Sequence, residues 1–248
     1  MTYSERTRAF AALHNPGTPL VLYNIWDAGS AAALAKAGAQ ALATGSWSVA
    51  AAQGYGDGED IPLALLLQTV TRITATCDLP LTVDFEGGFA QTPDSLTQNA
   101  RSLVETGAVG VNFEDQIIGG VGLYSVAEQA RRIAAMRAAN ADYFINARTD
   151  LFLKEPDTEK HAGLVDQALE RAEAYAHAGA SGFFVPGLTD ATLISGITAG
   201  TPLPVNVMMR GGMSLSAMAK VGVARASYGP APFAKVMKHL GEAFAGLT

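Results

Sequence analysis

Four times along this chain an alanine-rich amphipathic run closes on a glycine and leads directly into a short apolar run. The sites are Lys36-Ala37-Gly38-Ala39, Glu105-Thr106-Gly107-Ala108, His177-Ala178-Gly179-Ala180 and Lys220-Val221-Gly222-Val223. Glycine enters the left-handed backbone that ends a helix at little steric cost, so each site reads as a helix terminus feeding a strand. Such punctuation constrains the fold to successive βα units with tight connections. Strands are expected near 20–24, 41–44, 81–84, 109–113, 143–147, 182–185, 204–207 and 224–227. Helices are expected near 28–37, 62–76, 95–106, 125–139, 159–178, 190–198, 214–220 and 232–246. Eight units predict a single (β/α)8 barrel over residues 1–248, with a doubly wound open sheet as the alternative. The loops after the strands, especially 45–61, 86–94, 114–124 and 148–158, are the long ones, and this architecture carries its function there.

A hydrophobic fraction of 49% against 16% charged residues supplies a large core. The net charge of −6 argues against nucleic acid or an anionic membrane surface as partner. The single cysteine, Cys77, allows no internal disulfide and fits a reducing compartment; its place before the third strand makes it structural. Met1-Thr2-Tyr3-Ser4-Glu5-Arg6 does not read as a signal peptide, and no apolar stretch is long enough to span a bilayer, so a cytoplasmic protein is expected.

Three apolar runs end in charge: Val83-Asp84-Phe85-Glu86-Gly87-Gly88-Phe89, Asn112-Phe113-Glu114-Asp115 and Asn146-Ala147-Arg148-Thr149-Asp150. Carboxylates directly after buried strands are costly unless paired, and a divalent metal with an anionic ligand would pair them. Asp84 and Glu86, two apart on extended chain, would point the same way, and Glu114 and Asp115 end the next strand. Oxygen ligands with waters suit Mg²⁺ or Mn²⁺, and no Cys/His cluster argues for zinc. The alternative is that these acids cap helices or pair with Arg148. The planar fork of Arg148 suits a carboxylate or a developing oxyanion, or else a salt bridge to Asp150 or Glu114. Gly45-Ser46-Trp47-Ser48 can aim backbone N–H groups at an anion. Asp57, in the Gly-rich acidic stretch 53–60, either reaches the site or stays solvated. Tyr23, Asn24, Trp26 and Asp27 end the first strand as wall or packing residues, and Asn206, polar within an apolar run, faces a ligand or a loop amide. Among the histidines only His161 has a topological route to the site. Gly211-Gly212 and Tyr228-Gly229-Pro230 are a lesser candidate for phosphate.

From Asn24-Ile25-Trp26-Asp27-Ala28-Gly29-Ser30 to the last strand, and most specifically at the three charged motifs, the chain resembles the isocitrate lyase / phosphoenolpyruvate mutase superfamily. The resemblance implies a (β/α)8 barrel whose last helix is commonly swapped between subunits of a dimer or tetramer, Mg²⁺, and a 2-oxo acid or its enolate as ligand. It implies Asp84, Glu86 and Glu114 as metal residues, Asp57 in the outer shell, and Arg148 at the enolate oxygen and carboxylate. It places the backbone of Ser46 and Trp47 on that carboxylate. Catalytic roles are thus expected for Arg148, Asp57 and Glu114, and substrate contacts for Trp26, Gly45, Ser46, Trp47, Arg148 and Asn206. The chain departs from the family on the loop after strand four. The lyases carry Lys-Lys-Cys-Gly-His there, with cysteine as the acid, and phosphonate-active members use a lysine; here Gln116 to Tyr124 holds no cysteine, lysine or histidine. Asp84-Phe85-Glu86 also stands where the family has Asp-x-Asp. The reading is a Mg²⁺-dependent enzyme on a small 2-oxo acid, cleaving C–C or decarboxylating through an enolate. The rivals are phosphonomutase or phosphonopyruvate hydrolase chemistry and a catalytically idle 2-oxo acid-binding barrel. A homo-oligomer is expected, with the apolar stretch Pro232 to Leu247 compatible with exchange between subunits.

Overall fold

The computed structural model describes residues 2–247. Eight parallel strands follow the chain order expected: β1 (Leu20–Leu22), β2 (Leu42–Ala43), β3 (Leu81–Asp84), β4 (Gly110–Glu114), β5 (Phe144–Arg148), β6 (Gly182–Phe184), β7 (Val205–Met208) and β8 (Arg225–Ser227). They pair in the order β1-β8-β7-β6-β5-β4-β3-β2, all in parallel, which bends the sheet round into a barrel. The helices, again in chain order, are α1 (Tyr3–Ala12), α2 (Ala28–Lys36), α3 (Ser46–Ala52), α4 (Leu63–Thr74), α5 (Pro93–Glu105), α6 (Val126–Ala139), α7 (Leu151–Lys154), α8 (Val165–His177), α9 (Ala191–Gly200), α10 (Leu215–Lys220) and α11 (Ala231–Ala245). None among the described residues is long and apolar enough to cross a membrane.

Three helices were not expected. α1 starts on a capping box in which Thr2 and Glu5 satisfy each other's backbone N–H. It lies at the N-terminal end of the barrel, where Tyr3 donates its hydroxyl to the Ala108 carbonyl at 2.9 Å. Its residue Phe10 fills the barrel floor with Leu20, Leu22, Ala43 and Phe144, and His14 stacks on Phe144 at 4.2 Å. α3 and α7 occupy the loops after β2 and β5. The expected helix 159–178 splits into a 3₁₀ segment, Thr158–Leu164, and α8; Gly163 at the junction has low helix propensity.

The seam between β1 and β2 lacks a regular ladder. Ile25 bridges to Thr44 instead, donating its N–H to the Ala43 carbonyl at 2.8 Å and accepting from Gly45 at 3.2 Å. The Asn24 side chain completes the closure. Its Nδ2 donates to the Thr44 carbonyl at 2.8 Å, and its Oδ1 accepts from the N–H groups of Tyr228 and Gly229 at 2.9 and 2.8 Å. One buried carboxamide therefore ties β1 to both neighbours, where a strand would have used backbone. Asn24→Leu keeps the size and strands three backbone partners, one buried and two partly buried, so stability should fall by about 3 kcal/mol in urea unfolding. A loss below about 1 kcal/mol would show that Ile25 alone holds the seam.

Candidate active site

Alternation along the strands turns Asp84, Asn112, Glu114, Asn146, Arg148, Arg225 and Ser227 into the barrel. Gly110 permits this crowding: a Cβ there would stand 2.7 Å from the Phe144 carbonyl oxygen. Asn112 accepts at Oδ1 from Asn146 and from Arg225, both at 2.9 Å, which leaves its Nδ2 to face Asp84 Oδ1 at 3.4 Å. Above this layer Arg148 is gripped on both edges. Its Nε and Nη2 donate to the two carboxylate oxygens of Asp150 at 2.6 and 2.9 Å, while Nη1 meets Glu114 Oε2 at 2.8 Å and Asp84 Oδ1 at 3.9 Å. Burial opposes the Arg148 charge, but Glu114, Asp150 and Asp84 outweigh it and hold the guanidinium firmly protonated.

Glu86 reaches this cluster by a different route from the one expected. β3 ends at Asp84, and Glu86 has left-handed backbone, φ +48°, in a turn closed by Gly88 N–H to the Phe85 carbonyl at 2.8 Å. The turn, not strand alternation, brings the two carboxyls together. Arg132 of α6 holds the turn from behind, donating to the carbonyls of Gly87 and Ala90. The loop after α3 docks here as well: Glu59 donates its N–H to Glu86 Oε2 at 3.0 Å and accepts at Oε1 from Phe89 N–H at 2.7 Å. Glu59, Glu86 and Phe89 are the non-glycine residues at positive φ among the described residues, so backbone strain is concentrated in this one contact.

Burial, then the charges of Asp84 and Asp57, pushes the Glu86 carboxyl up to about 8. Burial also drives Glu114 well above the usual carboxylate range despite Arg148. Asp57 is raised by desolvation and then by Asp84. These mutually repelling oxygens are the donor set a hard divalent cation prefers. Among the described residues no three His, Cys, Asp or Glu stand close enough to form a cage by themselves. A cation here would therefore take few direct protein ligands and keep water, as Mg²⁺ does.

A cavity of about 550 Å³ opens over this cluster at the C-terminal ends of the strands. Of the expected residues, Gly45, Ser46, Trp47, Asp57, Asp84 and Arg148 line it. Glu86 and Glu114 lie buried behind its wall. The Ser46 N–H, expected to face a ligand carboxylate, donates to Asp84 Oδ2 at 3.2 Å. Trp26 lies outside the lining and packs edge-on against Phe233 of α11. Asn206 sits below the cavity, its Oδ1 accepting from the Ser227 hydroxyl at 3.2 Å. His161 is buried against Phe152, hydrogen-bonded to the Glu155 carbonyl, and does not reach the cavity. Asp115 points away from the barrel interior to α8, because it follows the inward Glu114 on β4. The loop 116–124 forms a tight hairpin, with Gln116 bridged to Leu123, and adds nothing to the lining.

Two arginines escaped the sequence reading. Arg225, fully buried inside the barrel, has Nε and Nη1 without hydrogen-bond partners, and burial lowers it to about 9. Its signal was an arginine inside the apolar run Val223-Ala224-Arg225-Ala226. Arg210, an exposed residue two positions past β7, lines the cavity with no ion-pair partner among the described residues. A cation just beyond a strand end was the cue available there.

Residues 10–248 match the family described as phosphoenolpyruvate phosphomutase. The chain belongs to that family. The 2-methylisocitrate lyase of Escherichia coli (strain K12) is 30% identical over 215 residues, spanning 83% of this chain and 70% of that protein. A solved structure from Burkholderia cenocepacia J2315, provisionally called a phosphonomutase, is 46% identical with a TM-score of 0.96 over 100% of both chains. A phosphonopyruvate hydrolase solved with oxalate and Mg²⁺ shares the fold, at 20% identity and a TM-score of 0.85, over 100% of this chain and 87% of that one. With the family comes the class: this protein is an enzyme of the lyase and phosphonomutase kind.

The raised carboxyls set a pH dependence. Glu86 binds a proton in the folded chain up to about 8 but only to about 4.5 when unfolded, so the folded state holds more protons between those values. Stability then falls as pH rises, and Glu114 acts with the same sign. His14, lowered to about 3 by burial, has the opposite slope below its ordinary value of 6.5. The window free of that opposition is therefore above 6.5 and up to about 8. Chelator-treated protein should lose thermal stability steadily across that window, and a flat or rising melting profile would contradict this electrostatic picture.

Proposed function

We propose that this protein is a Mg²⁺-dependent enzyme that acts on a small 2-oxo acid through an enolate, breaking a C–C bond or removing a carboxylate. The observation that carries this reading is the Arg148 guanidinium, clamped by Asp150 and facing Asp84 and Glu114 at the cavity. Asp84, Glu86 and Glu114 would hold the metal, which when bound would draw electron density from the 2-oxo oxygen. Arg148 would meet the oxygen on which negative charge develops, where a preorganised cation lowers the barrier most. The first turn of α3, through the Trp47 N–H and a Ser46 N–H released from Asp84, would receive the substrate carboxylate. Asp57, at the cavity with its carboxyl raised by desolvation and then by Asp84, would be the proton donor. The relationship to 2-methylisocitrate lyase and the likeness to a fold solved with oxalate and Mg²⁺ support the reading.

The cavity is larger than a pyruvate-sized enolate requires, and its far side carries Leu153, Phe184, Pro186 and Met208 with Arg210. That favours a substrate with a short apolar body and a second anionic group. The phosphonomutase or phosphonopyruvate hydrolase reading is favoured by the 46% identical relative, and it would use Arg210 toward phosphorus. Against it stands a lining without lysine, histidine or cysteine. In calorimetry oxalate should bind only with Mg²⁺, and Asp84→Ala should abolish that binding; unchanged binding would sink the assignment. The same protein, offered oxaloacetate, 2-oxoglutarate, pyruvate and phosphonopyruvate, separates the readings. Carbon products seen by NMR support the lyase, ³¹P turnover supports the mutase, and binding without turnover leaves an idle barrel.

We also propose a cytoplasmic homo-oligomer built through α11. Phe233 buries its ring between Trp26 and Trp47, while Val236, Met237, Leu240 and Phe244 form an exposed apolar stripe at helical spacing. Leu240 is 63% exposed and Phe244 68%, far more apolar surface than a helix end normally leaves in water. Sedimentation should show a dimer or tetramer that Leu240→Asp with Phe244→Asp converts to monomer. A monomeric wild type would overturn the proposal, and recovery of the protein outside the cytosolic fraction would overturn its placement.

A further inference from the structure

Outside the cavity one charged group is fully buried between β4 and α8 with both of its oxygens engaged, Asp115. Its Oδ2 accepts from Arg171 Nη1 at 3.0 Å and from the Tyr175 hydroxyl at 2.9 Å, and these two residues sit one turn apart on α8. Arg171 Nη1 also reaches the Tyr124 carbonyl at 3.1 Å, at the end of the 116–124 hairpin. The other oxygen, Oδ1, accepts the backbone N–H of Asp150 at 2.9 Å. Asp115 also donates its own N–H to the Arg148 carbonyl at 3.1 Å. Asp115 thus holds the backbone on both sides of Thr149, and Asp150 in turn grips the Arg148 fork.

We propose that Asp115, held by Arg171 and Tyr175, is a positioning residue that sets where the Arg148 guanidinium stands. It touches no ligand; it acts through the Asp150 backbone. Glu114 and Asp115, adjacent in sequence, divide the work across the two faces of β4: Glu114 meets the guanidinium inside the barrel, and Asp115 secures its clamp from the helix layer. Without an acceptor at Asp115 Oδ1, the Asp150 N–H has nothing to aim it, and the bidentate fork loses the geometry on which its strength depends. The functional consequence rests on the reading of Arg148 as the group that meets the oxyanion.

The test removes the buried charge pair in two ways. Asp115→Asn with Arg171→Met keeps an oxygen for the Asp150 N–H, whereas Asp115→Leu with Arg171→Met does not. In ligand-free protein, the Arg148 Nε–H resonance in ¹⁵N NMR should stay protected from exchange in wild type and the Asn variant and lose protection in the Leu variant. With saturating Mg²⁺, oxalate affinity should fall about tenfold in the Leu variant and stay within about twofold in the Asn variant. A merely structural role would lower thermal stability without separating the two variants in either measurement, and that result overturns the proposal. Tyr175→Phe removes two hydrogen bonds, one to Asp115 and one from Arg171, and no charge, so it covers the case of a misfolded double variant: exchange at Arg148 Nε–H should quicken about fivefold, and unchanged exchange would count against the idea. If wild type binds no oxalate, the enolate reading falls, while the resonance still decides the positioning.

Discussion

The grip of Asp150 on Arg148 is the interaction on which the rest of the catalytic face depends. Three carboxyls, those of Glu114, Asp150 and Asp84, surround one guanidinium that is largely withdrawn from water. Withdrawing so many charges costs several kcal/mol per ion unless geometry and further hydrogen bonds repay it. A planar fork with both edges engaged meets that condition, and lysine would not, because an ammonium cannot bond bidentately. With the fork satisfied on its Asp150 side, Nη1 remains the edge that confronts Glu114 and Asp84. Glu86, outside that clamp, rises to about 8 because burial, then the charges of Asp84 and Asp57, penalise its ionised form.

Below that layer the barrel interior changes character in steps. Phe10, Leu22 and Phe144 form an apolar floor, Asn112, Asn146 and Asn206 a layer of amides, and the carboxylates the top. Arg225 rises through the amides without a carboxylate in contact, drawing only distant support from Asp84. The same buried cation, together with burial itself, keeps His14 neutral against the floor. Arg225 settles the orientation of the amides: because a guanidinium can only donate, Asn112 must turn Oδ1 to it, Asn146 donates to the same oxygen, and Asn112 Nδ2 is left for Asp84. A polar core of this kind is costly, and it gives one face of the barrel a defined electrostatic direction.

Four of the eight strands were legible because each helix–glycine–strand junction carries its own mechanism, and the glycines at 38, 107, 179 and 222 do have left-handed backbone. α1 was hidden because its buried residues are few, Thr7 and Phe10, so its sequence shows little amphipathic contrast. The convergence of Asp84 with Glu86 was legible but for a different reason, since no local pattern announces positive φ at a glutamate. Asp115 shows the limit of proximity in sequence: alternation sends it away from Glu114, and only its partners 56 and 60 residues later reveal why a carboxylate is there. Arg210 and Arg225 needed the barrel to be closed before their neighbours could be named.

Under the enolate reading, the chain separates two tasks. Stabilising negative charge belongs to β3, β4 and β5, whose ends are cross-braced by Arg148, Asp150 and Asn112. The resemblance implies a proton donor on the loop after β4, but here that loop is a glycine-rich hairpin held at its base by Arg171, which donates to the Tyr124 carbonyl. Ile118 on the hairpin packs against Gly87, so the hairpin braces the Glu86 turn instead of entering the cavity. With lysine, cysteine and histidine absent from the lining, Asp57 and the hydroxyls of Ser46, Ser48 and Ser227 are left as carriers of protons beside the carbon that would receive one. Of these Asp57 carries the raised carboxyl, lifted by desolvation and then by the charge of Asp84. Neutralising the Asp84 charge would remove the second of those causes and leave desolvation, so the group that anchors the anion-stabilising cluster also bears on the one that would donate the proton.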